Sequence, residues 1–284
     1  MSLTLFTATG CARCTIAKKF MAEKGLTYDE HDAIGEGKEF FGQFYRTHRS
    51  AIFRGKEGIE FPVLAEGDEI RQGLAVIVAW LQAGASLDGF IGRSEHSKGW
   101  VGGLHVSQGD PGALDELAAV LGFLKQNGLK LQLDTDGRNA AALERLLEQG
   151  LGDRVVMDLK GPRPLYGALL GKEIDTQEVS RSLALVAKSP EYRFETTVAP
   201  VQRPKGVPGN VSYLTPEEIA ETASWLKEAT GSHRQPYILR FFNPQAHSDD
   251  RFRSVERLAP NALFRHRTAA RKHQVLTEIE ASSA

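Results

Sequence analysis

Beyond Cys14 the chain contains no cysteine. Its two cysteines stand at positions 11 and 14 of 284 residues, so a framework of structural disulfides is excluded, and a four-cysteine metal or cluster site cannot come from one copy of the chain. No apolar stretch approaches the ~18 residues that cross a bilayer as a helix. The start of the chain also lacks a basic segment followed by an apolar run and a cleavage site. Neither a membrane span nor a signal peptide is read, and the cytoplasm is the expected compartment. Charge of one sign is not in excess either: the formal net charge is −1, which excludes a global attraction to nucleic acid or anionic lipid. Internal repeats and low-complexity tracts are absent.

What is present is a globular composition, 41% hydrophobic and 25% charged. The length admits one large barrel or two domains, and two is the starting expectation. Leu3 to Thr9 has strand character, and Ile16, Ala17, Phe20 and Met21 repeat with helical spacing up to Gly25. A strand near Thr27 to Asp32, a helix from Lys38 to about His48, a strand pair turning at Glu66-Gly67-Asp68 and a helix from Leu74 to Gln82 complete a βαβαββα unit. Residues 85–99 are rich in Gly, Ser and charge and read as a linker. From Trp100 onward, strands and helices alternate through five strands, which implies a parallel sheet or partial barrel with function at the C-terminal strand ends. Arg251 to Lys272 holds seven Arg or Lys and reads as a solvated basic tail, not a nucleic-acid arm. The expected divisions are 1–84, a linker at 85–99, 100–248 and a tail at 249–284.

The cysteine pair stands where the first strand meets the first helix. Backbone N–H groups and the positive end of the dipole at a helix N-terminus favour an anion there, so Cys11 is the candidate attacking thiolate and Cys14, one turn on, the resolving thiol. Arg13 places a cation inside the loop; Lys18 and Lys19 add more, at solvated positions. Two other readings of the pair stay open: a pair of small core residues, or part of a metal site completed by histidines such as His31 and His48 or by a second chain.

The element order, the "CARC" loop and Pro62 in "EFPVL" together resemble the glutaredoxin and thioredoxin fold, whose members carry a cis-proline beside the reactive pair. That resemblance implies a thioredoxin-like domain, catalytic roles for Cys11, Cys14, Arg13 and Pro62, and a cis Phe61-Pro62 bond. "RQGLAVIV" keeps one glycine, Gly73, of the Gly-Gly pair found in glutathione users and lacks the following acidic residue. Thioredoxin reductase therefore stands beside glutathione as the implied electron donor.

Four later stretches, "GGLHVSQGDPGAL", "LQLDTDGRN", "VVMDLKGPRPLYGALLG" and "YRFETTVAP", resemble in order and spacing the activating-enzyme branch of the radical S-adenosylmethionine (SAM) superfamily. The likeness implies a truncated (β/α) partial barrel of about five parallel strands, with Asp110, Asp134, Asp158 and Lys160 at one rim as candidate cofactor-binding residues. Gln108 and Asp110 stand where that family has Gly and Glu, Asp136 replaces an Asn, and Glu195 replaces an Arg. The three-cysteine loop that holds the family's iron-sulfur cluster is missing. The expectation is α/β architecture with no cluster, no metal ligands, no required cofactor and at most residual SAM binding.

Function is expected to be thiol-disulfide exchange on a disulfide-containing protein, with a ribonucleotide reductase or another glycyl-radical enzyme as the implied partner. The alternatives are a non-catalytic module binding SAM, a nucleotide or a protein, and an active glycyl-radical activator whose cluster is completed by another chain.

Overall fold

The structure is a computed structural model that describes residues 3–56, 58–93, 99–203, 211–247 and 249–280. Residues 94–98 of the expected linker, 204–210 and 248 of the expected partial barrel, and 281–284 of the expected tail lie outside the described residues. The chain gathers into two compact units, 1–131 and 132–284, so the first extends beyond residue 84.

The first unit begins with β1 (Leu3–Thr7), α1 (Ala12–Glu23), β2 (Tyr28–Asp32) and α2 (Lys38–Thr47). A two-residue ribbon, β3 (Arg54–Gly55) with β4 (Gly58–Ile59), precedes β5 (Val63–Glu66), β6 (Glu69–Gln72) and α3 (Leu74–Ala83). The main sheet has the order β2-β1-β5-β6, with β1 parallel to β2 and antiparallel to β5. Alternation along β1 sends Leu5 and Phe6 to opposite faces, and both are fully buried. Phe6 packs with Phe41, Ile52 and Val63 on one face; Leu5 packs with Met21, Leu64 and Ile77 on the other. Cover on both faces is why the central strand is apolar in both registers. The arrangement is thioredoxin-like.

Helix α3, "LAVIVAWLQA", is apolar almost all round because it is packed between α1 and α4 (Leu114–Gln126). Part of the segment expected to be a linker is ordered against the unit: Gly84–Leu87 forms a 3-10 turn, and Leu87 and Phe90 are buried. Strand β7 (Trp100–His105) follows, and Ile91 forms an antiparallel bridge with Leu104.

The remaining elements are β8 (Lys130–Thr135), α5 (Ala140–Glu148), β9 (Arg154–Asp158), α6 (Tyr166–Leu170), α7 (Thr176–Val186), β10 (Tyr192–Val198), β11 (Pro200–Gln202), β12 (Val211–Tyr213), α8 (Pro216–Thr230), β13 (Tyr237–Phe241), α9 (Asp250–Arg253), α10 (Ala262–Ala270) and β14 (Thr277–Ile279). In the second unit these strands form a parallel sheet in the order β14-β13-β10-β9-β8. Within the second unit each new strand is added on the same side, so right-handed crossovers put the intervening helices on one face. Leu133, Val155, Met157, Phe194, Tyr237 and Leu239 are buried on that face. The opposite face alternates with it and carries Asp134, Arg154, Asp158, Arg193, Glu195 and Arg240.

The C-terminal stretch contributes to the fold and is not only a solvated tail. Strand β14 pairs in parallel with β13, and α10 packs on α8 with Leu263, His266 and Ala270 buried. Those residues recur at helical spacing, which the density of arginines around them obscures.

Candidate functional site

Strand β1 ends at Thr7, and the chain turns through Gly10 at φ +76°, a left-handed conformation that glycine adopts without a Cβ penalty. The Cys11 amide closes this turn by donating to the Ala8 carbonyl at 3.0 Å. Cys11 then caps α1: its Sγ accepts from the Cys14 amide at 3.1 Å, and the first helical turn holds no acidic residue. The two cysteines form a disulfide with Cα atoms 5.3 Å apart. Cys14 is 3% exposed whereas Cys11 is half-buried, so an incoming thiol can reach only Cys11.

The Phe61-Pro62 bond is cis. Pro62 is buried at the start of β5, and the Phe61 carbonyl oxygen lies 3.8 Å from Cys11 Sγ. Cys11, Cys14 and the Phe61-Pro62 step therefore stand together. Arg13 has a different task from a free cation in the loop: it is ion-paired with Glu60 and donates to the Trp100 carbonyl at 3.0 Å. Lys18 is held by both carboxylate oxygens of Glu30, at 3.0 and 3.2 Å. With both cations paired, stabilisation of a Cys11 thiolate falls mainly to the amides at the start of α1.

Several residues at the site were not singled out from sequence. Glu60, two places before Pro62, is one. Gln72 is another: it is 7% exposed, its amide donates to the carbonyls of Phe53 (2.9 Å) and Glu60 (3.1 Å), and its oxygen accepts from the Phe53 amide at 2.9 Å. Asp32 ends β2 and accepts from the Thr9 hydroxyl and from the amides of Ile34 and Gly35, and these bonds hold its carboxyl below the usual range. Asp32 and Gln72 each end a strand that is polar along most of its length, YDEHD and EIRQ, so the sequence offers no signal that sets either apart.

The candidate rim residues are distributed differently. Asp110 is exposed in the first unit, where its side chain caps the Pro111–Ala113 turn by accepting from the Gly112 amide at 2.9 Å. In the second unit Asp134 accepts from Gln132 at 2.9 Å, and Asp158 is ion-paired with Lys160. Asp136 is buried and bound by Arg138 at 2.6 to 2.9 Å, and Glu195 is held by Arg193 at 2.5 Å and Arg240 at 3.0 Å. The Tyr166 hydroxyl donates to the Asp136 carbonyl at 2.6 Å, and burial pushes its pKa well above the usual value. These residues do not fit an iron-sulfur cluster: both cysteines are bonded to each other, and among the described residues no group of three or more His, Cys, Asp or Glu could hold a metal ion. One atom stands out at the rim. Asp158 Oδ1 is buried with no hydrogen-bond partner.

No family model matches the chain, and no curated protein is found similar to it. Among solved structures, the chain is similar to the glutaredoxin-like NrdH-redoxin from Escherichia coli at 22% identity, over 26% of this chain and 84% of that one, with a TM-score of 0.21. A domain of pyruvate-formate lyase-activating enzyme from Bacteroides vulgatus ATCC 8482 aligns at 13% identity over 64% of this chain and all of that domain, with a TM-score of 0.44. An endo-1,4-beta-mannanase from Eisenia fetida aligns at 13% identity over 55% of each chain, with a TM-score of 0.25. Likenesses this distant carry no argument about activity, which has to come from the cysteine pair and its surroundings.

Proposed function

We propose that the chain is a thiol-disulfide oxidoreductase acting through Cys11 and Cys14. The observation that carries this reading is the placement of the pair: a bonded Cys-x-x-Cys with one sulfur reachable, at the N-terminus of a helix, beside a proline-led strand. In the reduced form, the Cys11 thiolate attacks one sulfur of a substrate disulfide. The substrate S–S bond breaks, a Cys11–substrate disulfide forms, and the other substrate sulfur leaves as a thiolate. Cys14, deprotonated, then attacks Cys11 Sγ, releases the second substrate sulfur and forms the Cys11–Cys14 disulfide. Two electrons pass from the dithiol to the substrate, and an external dithiol returns them.

The substrate is a disulfide-containing protein. The partner class suggested by the sequence likeness is a ribonucleotide reductase or other glycyl-radical enzyme, with the second unit serving recognition and no cluster or SAM required for turnover. A Cys14→Ser variant tests the reading, because it should accumulate a mixed disulfide whose captured partner can be identified, whereas Cys11→Ser should capture nothing. Equal capture by both variants, or none by either, would refute it.

A second reading concerns the second unit alone and is favoured by the unpartnered Asp158 Oδ1. That oxygen could accept from the ammonium or ribose hydroxyl of SAM or a nucleotide, bound without turnover. Calorimetry with SAM, S-adenosylhomocysteine and nucleoside triphosphates checks it, and the absence of heat with all of them would leave protein recognition.

A further inference from the structure

The disulfide lies between two unequal flanks of the first unit. On the Glu60 side a shallow pocket lined by Arg13, Glu60, Gln72, Gly73, Arg93 and Trp100 encloses about 20 Å³, about the space of one water molecule. On the other side Thr7, Thr9, Lys18, Glu30 and Asp32 border an open groove of about 340 Å³ that contains Cys11.

The narrower flank is bordered by the chain itself. The Gly92 amide donates to the Gly103 carbonyl at 2.8 Å, and the His105 amide donates to the Phe90 carbonyl at 2.6 Å, so residues 90–92 run antiparallel to 103–105. Phe90 is fully buried, and a Cβ on Gly109 would fall 2.1 Å from its ring, so the ribbon is closely seated. Two further contacts fasten it beside the disulfide. The Arg93 guanidinium lies over the Phe53 ring at 3.6 Å, and the Trp100 carbonyl accepts from Arg13, two residues after Cys11.

The roomier flank differs in charge as well as in space. Lys18 contributes one positive charge, Glu30 and Asp32 two negative ones, and Lys18 is already bound by Glu30. Asp32 stays ionised at neutral pH, because its bonds to Thr9 and to the amides of Ile34 and Gly35 favour the carboxylate. The groove is therefore net negative and offers no uncommitted cation to an anionic thiol.

We propose that residues 90–93 and 100–102 are a built-in occupant of one flank, and that the thiol partner of Cys11 is a cysteine on a polypeptide segment with neutral or basic neighbours, entering along Thr9, Lys18 and Asp32. Small anionic monothiols such as glutathione then react only by collision. The proposal rests on the redox reading above and makes Arg13, Arg93 and Asp32 its specificity-determining residues.

The test uses the full chain in its disulfide form with four thiols: dithiothreitol, glutathione, and two short peptides carrying one cysteine flanked by either lysines or glutamates. Opening of the Cys11–Cys14 bond is followed by alkylation and mass spectrometry. The expected result is a glutathione rate that rises linearly with concentration without saturating. The lysine peptide should be faster than the glutamate peptide by about three- to tenfold at low salt, an advantage that shrinks at high salt. Asp32→Asn should narrow the peptide ratio. Saturable reaction with glutathione, or equal rates for the two wild-type peptide reactions, overturns the proposal even if the variant is not informative. Failure of dithiothreitol to open the bond would instead overturn the redox reading, so the two failures are distinct.

Discussion

Replacing Gln72 gives a quantitative test of how the loop beside the disulfide is held. Its carboxamide makes three hydrogen bonds of 2.9 to 3.1 Å to the backbone of Phe53 and Glu60, and so fixes the two ends of the segment that delivers Glu60 and Phe61 to Cys11. Gln72→Leu keeps the bulk and removes all three bonds, leaving one N–H and two carbonyls without partners. Each loss costs on the order of 1 kcal/mol where water can take over and up to about 3 where it cannot. Phe53 and Glu60 are half-buried, so a total of about 2 to 4 kcal/mol follows. Gln72→Glu is the sharper comparison, because a carboxylate retains the acceptor for the Phe53 amide but faces two carbonyl oxygens with no donor; it should be at least as destabilising as leucine. Chemical denaturation reads the total, and amide exchange at Phe53 reads the local effect. A change below about 0.5 kcal/mol for Gln72→Leu, or wild-type protection at Phe53 in either variant, would refute the reasoning, since surface substitutions alone give that much.

Glu60→Gln removes the partner of Arg13 and leaves its charge near Cys11, so in the reduced protein alkylation of Cys11 at neutral pH should quicken by about two- to fivefold; an unchanged rate would mean that Arg13 and Cys11 are electrostatically independent. In the reduced wild type, alkylation against pH should place the Cys11 midpoint below the free-cysteine value of about 8.5, and a faster Cys14 would reverse the assigned roles. Burial raises the Glu218 carboxyl, but bonds from Arg203 and the Thr215 amide outweigh it, and the folded pKa lies below 4.5. Its stabilising contribution is thus complete above the unfolded value and lost as pH falls through the lower folded one, so Glu218→Gln should reduce stability at neutral pH and flatten the loss below about pH 4.5; an acid profile parallel to wild type would exclude the linkage. If SAM binds the second unit, Lys160→Ala should weaken it about tenfold or more through loss of a charge-assisted bond, and tight binding indifferent to the substitution would disprove that geometry.

Much of the fold can be read from local pattern. The two-sided apolar run of β1, the helical spacing after Cys11 and the strand-helix alternation beyond Trp100 correspond to observed elements because each is set by short-range periodicity. The ribbon β3–β4 is too short to leave a periodic trace. Strand β14 is three residues long, and its place in the sheet depends on pairing with β13, some forty residues earlier in the chain. The cysteines could be singled out because their chemistry is explicit in residue type, and Pro62 only through the resemblance of its surroundings to the glutaredoxin and thioredoxin fold. Glu60, Gln72 and Asp32 could not, since each acts by the direction of a side chain toward backbone or a cation from another element. The same limit applies to Arg13: sequence places the positive charge in the loop, and only the structure places Glu60 against it.

The polar face of the second unit pairs its charges, and the pairs differ in how easily they open. Across its polar face Asp136 meets Arg138, Asp158 meets Lys160, and Glu195 meets Arg193 and Arg240, the latter also bonded to Glu280 at 2.7 Å. Opening one of these pairs costs very different amounts along the face. Asp158 and Lys160 are 39% and 31% exposed, in the range where an ion pair contributes about 0 to 1 kcal/mol and water replaces either partner. The Glu195 side chain is only 5% exposed and meets two guanidinium groups; displacing them would strand a buried carboxylate at about 3 to 5 kcal/mol. By these costs the Asp158–Lys160 pair is the easier one to open to a competing charge, and the Glu195 pairs the harder. Glu195 is thus part of the sheet's internal structure, and Asp158 with Lys160 is the pair of this face more open to solution.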